Sequence, residues 1–82
     1  MRHVVSMKTT SGIRSLFGAN LKRLRLQSGL SQEAFADKCG LDRTYVSGIE
    51  RGVRNPTIEV VGVLAKGLGV AINALFDFDS PP

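Results

Sequence analysis

Eighty-two residues with 43% hydrophobic and 22% charged content make one domain with one modest core. One cysteine and one histidine, His3, leave no internal disulfide, no structural zinc set and no histidine-based catalytic triad. No apolar run reaches the ~18 residues of a membrane span, and residues 1–12 hold no apolar stretch of the secretory kind. Residues 1–54 carry ten Lys/Arg against four Asp/Glu, and residues 55–82 carry one against three, so the +4 total divides into a basic half and a weakly acidic one. The basic half suits a polyanion, and a solvated surface fits it equally well.

Residues 1–12 are mixed, polar and aperiodic, and two readings stand: a flexible N-terminal extension, or a basic arm touching a polyanion through Arg2, His3 or Lys8. Ile13, Leu16, Phe17, Leu21 and Leu24 then set a helical stripe, predicting a first helix from about Ile13 to Ser28 that stops at Gly29. Gly18 inside it points to tight packing. Arg14, Lys22 and Arg23 fall on the other side, as a solvated face or as phosphate contacts.

A second helix is capped by Ser31, carries Glu33 in its first turn and ends at Gly40; Phe35, Ala36 and Cys39 face inward. Leu41 plugs the turn. Asp42 caps a third helix, about Asp42 to Arg51, with Val46 and Ile49 as its apolar stripe. Arg43, Thr44, Ser47 and Gly48 are left for its outer side, with Tyr45 beside them. Short or polar groups around one Arg fork match the donor and acceptor pattern of the DNA major groove. Gly48 costs a helix about 1 kcal/mol against Ala, which a close approach to another surface would explain. Gly52 ends this helix, and Asn55-Pro56 is loop chemistry. Thr57 caps a fourth helix with an inner stripe of Ile58, Val61, Leu64, Ala65 and Leu68, ending at Gly69; Val60 and Val63 broaden that stripe. A short fifth helix covers about Ile72 to Phe76, with Ala71 where a Ser or Thr cap would serve better. Residues 79–82 read as a tail. No phosphate-binding glycine motif occurs, and no enzyme chemistry can be assembled.

The stretch Leu30 to Glu50, followed by R-G-V-R-N-P-T to Thr57, resembles the helix-turn-helix of the lambda-repressor-like, Cro-type (XRE) regulators. The likeness runs from about Phe17 to Phe76 and extends to the controller proteins of restriction-modification systems. It implies an all-α, compact five-helix DNA-binding domain over residues 13–78. It implies a transcriptional regulator acting as a homodimer on an inverted-repeat operator, in the cytoplasm of a bacterium or encoded by a phage, and nucleoid-associated when bound. Arg43, Thr44, Ser47 and Gly48 would read bases. Gln32 would grip a phosphate, with Tyr45, Lys38, Arg54 and Asn55 as further phosphate contacts; Asn55 reads equally as a helix cap. Arg25 and Glu50 would pair across the core, against the alternative of an exposed Glu50 near Arg54. Val60, Val63, Phe76 and Phe78 are the expected dimer interface. No cofactor, metal, membrane or small-molecule effector is implied. The rival reading is an antitoxin or adaptor using the same fold to hold a partner protein, disfavoured by the short stretch left after the fifth helix.

Overall fold

The computed structural model describes residues 4–79, with side chains from Gly12 onward. Four α-helices and one 3-10 turn follow in order: α1 Val4–Gln27, α2 Gln32–Cys39, α3 Arg43–Glu50, α4 Ile58–Leu68, and the turn Ile72–Phe76. The described residues contain no strand, so the fold class is all-α.

Four of the expected helices are present as α-helices, the first with its start moved, and the fifth is a 3-10 turn. α1 begins at Val4 rather than Ile13, so residues 4–12 are helical. Ser, Thr and Gly in that run are poor helix formers, but extending an existing packed helix fixes only one residue per added bond. Lys8 falls in this helix; Arg2 and His3, like Ser80 to Pro82, lie outside the described residues.

The caps follow the side-chain chemistry. The Ser31 hydroxyl accepts from Ala34 N at 3.0 Å, Asp42 Oδ1 accepts from Thr44 N at 2.9 Å, and Thr57 Oγ1 accepts from Val60 N at 3.2 Å. Thr57 therefore caps α4, and the capping role weighed for Asn55 falls away. Gly40 adopts φ 69°, and Leu41 N reaches back to Ala36 O at 2.9 Å. This left-handed stop turns the chain from α2 into α3 within three residues, 40–42. The last element is a 3-10 turn rather than an α-helix. Ala71 ahead of it makes no side-chain cap bond.

The core is built from Phe17 and Leu21 of α1, Phe35 and Ala36 of α2, Val46 and Ile49 of α3, Val61, Leu64 and Ala65 of α4, and Leu75 of the turn. Cys39 and Leu41 pack at its edge, half-buried. Three residues of the expected stripes are outside it, Leu16 being only half-buried. Ile13 is exposed, and Ile58 is 81% exposed because it opens α4, where the helix has not yet reached the core.

Three contacts set the geometry around α3. α1 crosses α3 at Gly18: a Cβ there would collide with the Ile49 carbonyl oxygen and lie 2.6 Å from that of Glu50. Only hydrogen fits in that space. Buried Asn20 donates to the Ala74 and Leu75 carbonyls at 3.0 and 2.9 Å, tying the 3-10 turn to α1. Its oxygen accepts from Arg23, so that guanidinium is spoken for within α1. The third contact is ionic. Arg25 Nε meets Glu50 Oε2 at 2.6 Å and Arg25 Nη2 meets Oε1 at 3.0 Å, with both side chains almost wholly out of solvent. The Glu50 hydrogen bond holds the guanidinium above its ordinary pKa, outweighing the cost of burial.

Candidate nucleic-acid interface

α3 packs against both α1 and α2, which bury one side of it and leave its N-terminal half open. Val46, Ile49 and Glu50 point inward, whereas Arg43 and Thr44 are exposed and Ser47 is half-buried at the margin. Arg43, the first residue of α3, is exposed, and its guanidinium makes no hydrogen bond among the described residues. Thr44 is partly committed. Its hydroxyl donates to Asp42 Oδ1 at 2.8 Å, so it faces outward as an acceptor with a methyl group beside it. Two bonds from Thr44, the backbone one leading, hold the Asp42 carboxyl below the usual carboxylate range.

Gln32 opens α2 and is half-buried. Its Nε2 donates to Glu50 Oε1 at 2.9 Å, which fixes the amide against the buried ion pair and leaves its second N–H free. Arg25 also donates to the Leu30 carbonyl at 2.8 Å. One network thus joins α1, the loop ahead of α2, the start of α2 and the end of α3. Tyr45 is half-buried against the core, while Lys38, Arg54 and Asn55 are exposed.

Gly48 departs from the sequence-based expectation. It is buried, and the atoms that crowd it belong to this chain: a Cβ would sit 2.5 Å from Arg54 Cγ and 3.5 Å from Cδ. Its missing side chain leaves room for Arg54, not for an outside surface.

The expected interface residues of α4 and beyond divide. Val60 and Phe78 pack against the core, and Val63 borders a hollow shared with Lys38, Cys39 and Lys66. Burial pushes the Cys39 thiol pKa up there, making it less reactive. Phe76 is exposed beside a groove of about 270 Å³, lined by Ile13, Arg14, Phe17, Ile58 and Val61. Sequence periodicity missed this face, because Ile13 and Ile58 sit in stripes that otherwise point inward. Asn20 was missed too, although its place between Phe17 and Leu21 puts it on the buried side of α1.

Among the described residues, no cluster of three or more His, Cys, Asp or Glu could hold a metal ion, and no helix is long and apolar enough to cross a membrane. The surface around α3 has one exposed helix end, Arg43 and Thr44, above the hydrogen-bonded network of Arg25, Gln32 and Glu50.

Comparison with known proteins agrees with that geometry. A helix-turn-helix family model, HTH_3, matches residues 21–75. The control protein C.BamHI of Bacillus amyloliquefaciens is 46% identical over 70 residues, covering 84% of this chain and 86% of that protein. The crystal structure of the restriction-modification controller protein C.AhdI from Aeromonas hydrophila superposes with a TM-score of 0.79 at 42% identity, over 80% of this chain and 96% of that one. The controller protein C.Esp1396I, solved as a tetramer with its natural 35 base-pair operator, gives a TM-score of 0.73 at 43% identity, over 79% and 86% of the two chains. The chain belongs to the HTH_3 helix-turn-helix family, as a DNA-binding transcriptional regulator of the XRE type and not an enzyme.

Proposed function

We propose that this protein is a restriction-modification controller that binds an inverted-repeat operator as a homodimer, in the cytoplasm. The observation that carries the reading is the open N-terminal half of α3, with Arg43 and Thr44 exposed above a buried Val46–Ile49 stripe. The high identity to C.BamHI over most of both chains supports the controller role.

α3 enters the major groove. The Arg43 fork pairs with guanine O6 and N7, and Thr44 and Ser47 complete the base contacts. Gln32 presents its free N–H to a phosphate while Glu50 holds the other. Lys38, Tyr45 and Asn55 add positioning contacts, which fix register without reading sequence. The helix N-terminus of α2, with the Gln32 amide on it, favours an anion.

The dimer forms through the Phe76 groove. Ile13, Ile58 and Phe76 are exposed along one groove, and a contiguous apolar patch marks an interaction surface. The occupant is a second copy, and an inverted-repeat operator then requires the two α3 helices to stand about one helical turn of DNA apart. C.Esp1396I, tetrameric on its operator, supports an assembly of this kind.

The test is selection from randomised duplexes, together with sedimentation of the wild type and Ile58→Glu. An inverted repeat in the selected pool, a wild-type dimer and a monomeric Ile58→Glu are expected. A selected single half-site with a monomeric wild type would refute the dimer. A co-purifying unrelated protein at fixed stoichiometry, with no DNA preference, would replace the reading by the adaptor role. Adjacent methyltransferase and endonuclease genes are the expected setting.

A further inference from the structure

We propose that Gly48 is a positioning residue for DNA binding: it seats the Arg54 side chain on the recognition helix and so adds a second cation to the one, Arg43, that α3 itself carries. The inference rests on the DNA reading of α3. Four observations meet at this point. Gly48 lies one turn after Thr44, on the same side of the helix. It is buried although no core side chain is the nearest atom to its absent Cβ; the nearest atoms are Arg54 Cγ at 2.5 Å, Nε at 3.4 Å and Cδ at 3.5 Å. The Gly48 carbonyl accepts from both Val53 N at 3.0 Å and Arg54 N at 3.2 Å, which anchors the backbone of the loop to the same residue. Arg54 nonetheless counts as exposed, so its stem lies against the helix while the guanidinium reaches solvent.

A loop arginine would ordinarily sample many rotamers, and ordering it on DNA costs entropy. Here the stem already lies along α3, with both ends of the contact fixed. The cation also stands at the C-terminal half of the helix, where the macrodipole favours positive charge. Arg43 at one end of α3 and Arg54 at the other bracket Thr44 and Ser47, so the helix presents two cations along its length although its own sequence holds one.

A methyl at position 48 cannot coexist with the present Arg54 Cγ. The pinned backbone leaves χ1 of Arg54 as the coordinate that gives way. Ala is the better helix former, which offsets the cost of moving one exposed side chain, so the fold is expected to hold. The effect therefore separates from stability.

The experiment is a cycle of wild type, Gly48→Ala, Arg54→Ala and the double variant. Each is measured for thermal midpoint and for affinity to the selected operator at several salt concentrations. Expected are a midpoint for Gly48→Ala at or above wild type, about tenfold weaker binding for either single variant, a salt slope lower by about one unit in Arg54→Ala, and a double variant no weaker than Arg54→Ala. Wild-type affinity in Gly48→Ala, or unchanged binding in Arg54→Ala, overturns the proposal. A further loss in the double variant also overturns it, since Gly48 would then act on DNA directly. Absence of any wild-type binding refutes the DNA reading of α3 instead. Should Gly48→Ala fail to fold, the 15N heteronuclear NOE of Arg54 Nε in the wild type decides: backbone-like order supports the seat, and free motion overturns it.

Discussion

Replacing Arg25 by Ala strips the Glu50 carboxylate of two of its three protein donors, those at 2.6 and 3.0 Å, and leaves only Gln32 Nε2 at 2.9 Å. The Leu30 carbonyl loses its 2.8 Å donor in the same step. Side-chain exposure is 6% for Arg25 and 2% for Glu50, so water cannot replace what is lost without opening the core. An uncompensated charge in such a place costs about 3–5 kcal/mol. Glu50→Ala strands the guanidinium at similar cost. Small domains hold only about 0.05–0.15 kcal/mol of stability per residue, so either change removes a large share of it. With midpoints moving about 4–8 °C per kcal/mol in a domain of this size, a fall of at least about 12 °C is expected. Replacing both partners, Arg25→Met with Glu50→Leu, should recover much of the loss, because no charge is then left unpaired. The raised Arg25 pKa stabilises below its unfolded value and is lost only as pH rises through the still higher folded one. The pair's contribution from Arg25 is therefore flat over the working pH range. Urea and thermal unfolding followed by circular dichroism measure all three variants. Single variants within about 1 kcal/mol of wild type, or a double variant worse than both singles, would refute the argument.

Gly18→Ala should destabilise by about 1–3 kcal/mol, the cost of overpacking, because its Cβ meets the Ile49 and Glu50 carbonyls, which are backbone and cannot swing aside; urea unfolding checks this, and an unchanged midpoint would mean that α1 and α3 cross less closely. The Asp42 cap titrates from a lowered folded pKa, set first by the Thr44 backbone bond, so its contribution is present above the unfolded value and is lost as pH falls through the folded one. Asn caps α3 without titrating; the gap between wild-type and Asp42→Asn melting midpoints should therefore change as pH falls through the acid range, and a constant gap would contradict the assignment.

Most of the scaffold was legible because its signals are local. Ser31, Asp42 and Thr57 stand where short polar side chains reach the third or second amide of a helix, and Gly40 stands where the chain must turn left-handed. The start of α1 was not legible. Residues 4–12 carry no apolar stripe in their sequence, and they continue the helix of the packed segment that follows. Gly48 is the instructive case. A helical wheel puts it outside the Val46–Ile49 stripe, but the loop after α3 folds back to cover it, and the course of a loop leaves no period in the sequence. Ile58 misleads for the opposite reason: its spacing is that of a core residue, but at the first turn of α4 it lines an open groove and stays 81% exposed. The Gln32–Glu50 bond depends on two helices meeting, so no local pattern could disclose it.

The central claim is that the exposed end of α3 reads base edges. Its most direct test is the affinity of wild type and Arg43→Ala for the selected operator and for every single-base variant of one half-site. Arg43 is free of intramolecular partners among the described hydrogen bonds and stands first on the helix. A bidentate guanine contact is worth about 1–3 kcal/mol of discrimination against the wrong base. The account predicts that Arg43→Ala binds the operator more weakly and loses base preference at one position of each half-site, with preferences elsewhere intact. If Arg43→Ala keeps the full pattern of preference, α3 does not read DNA in this way, whatever its affinity.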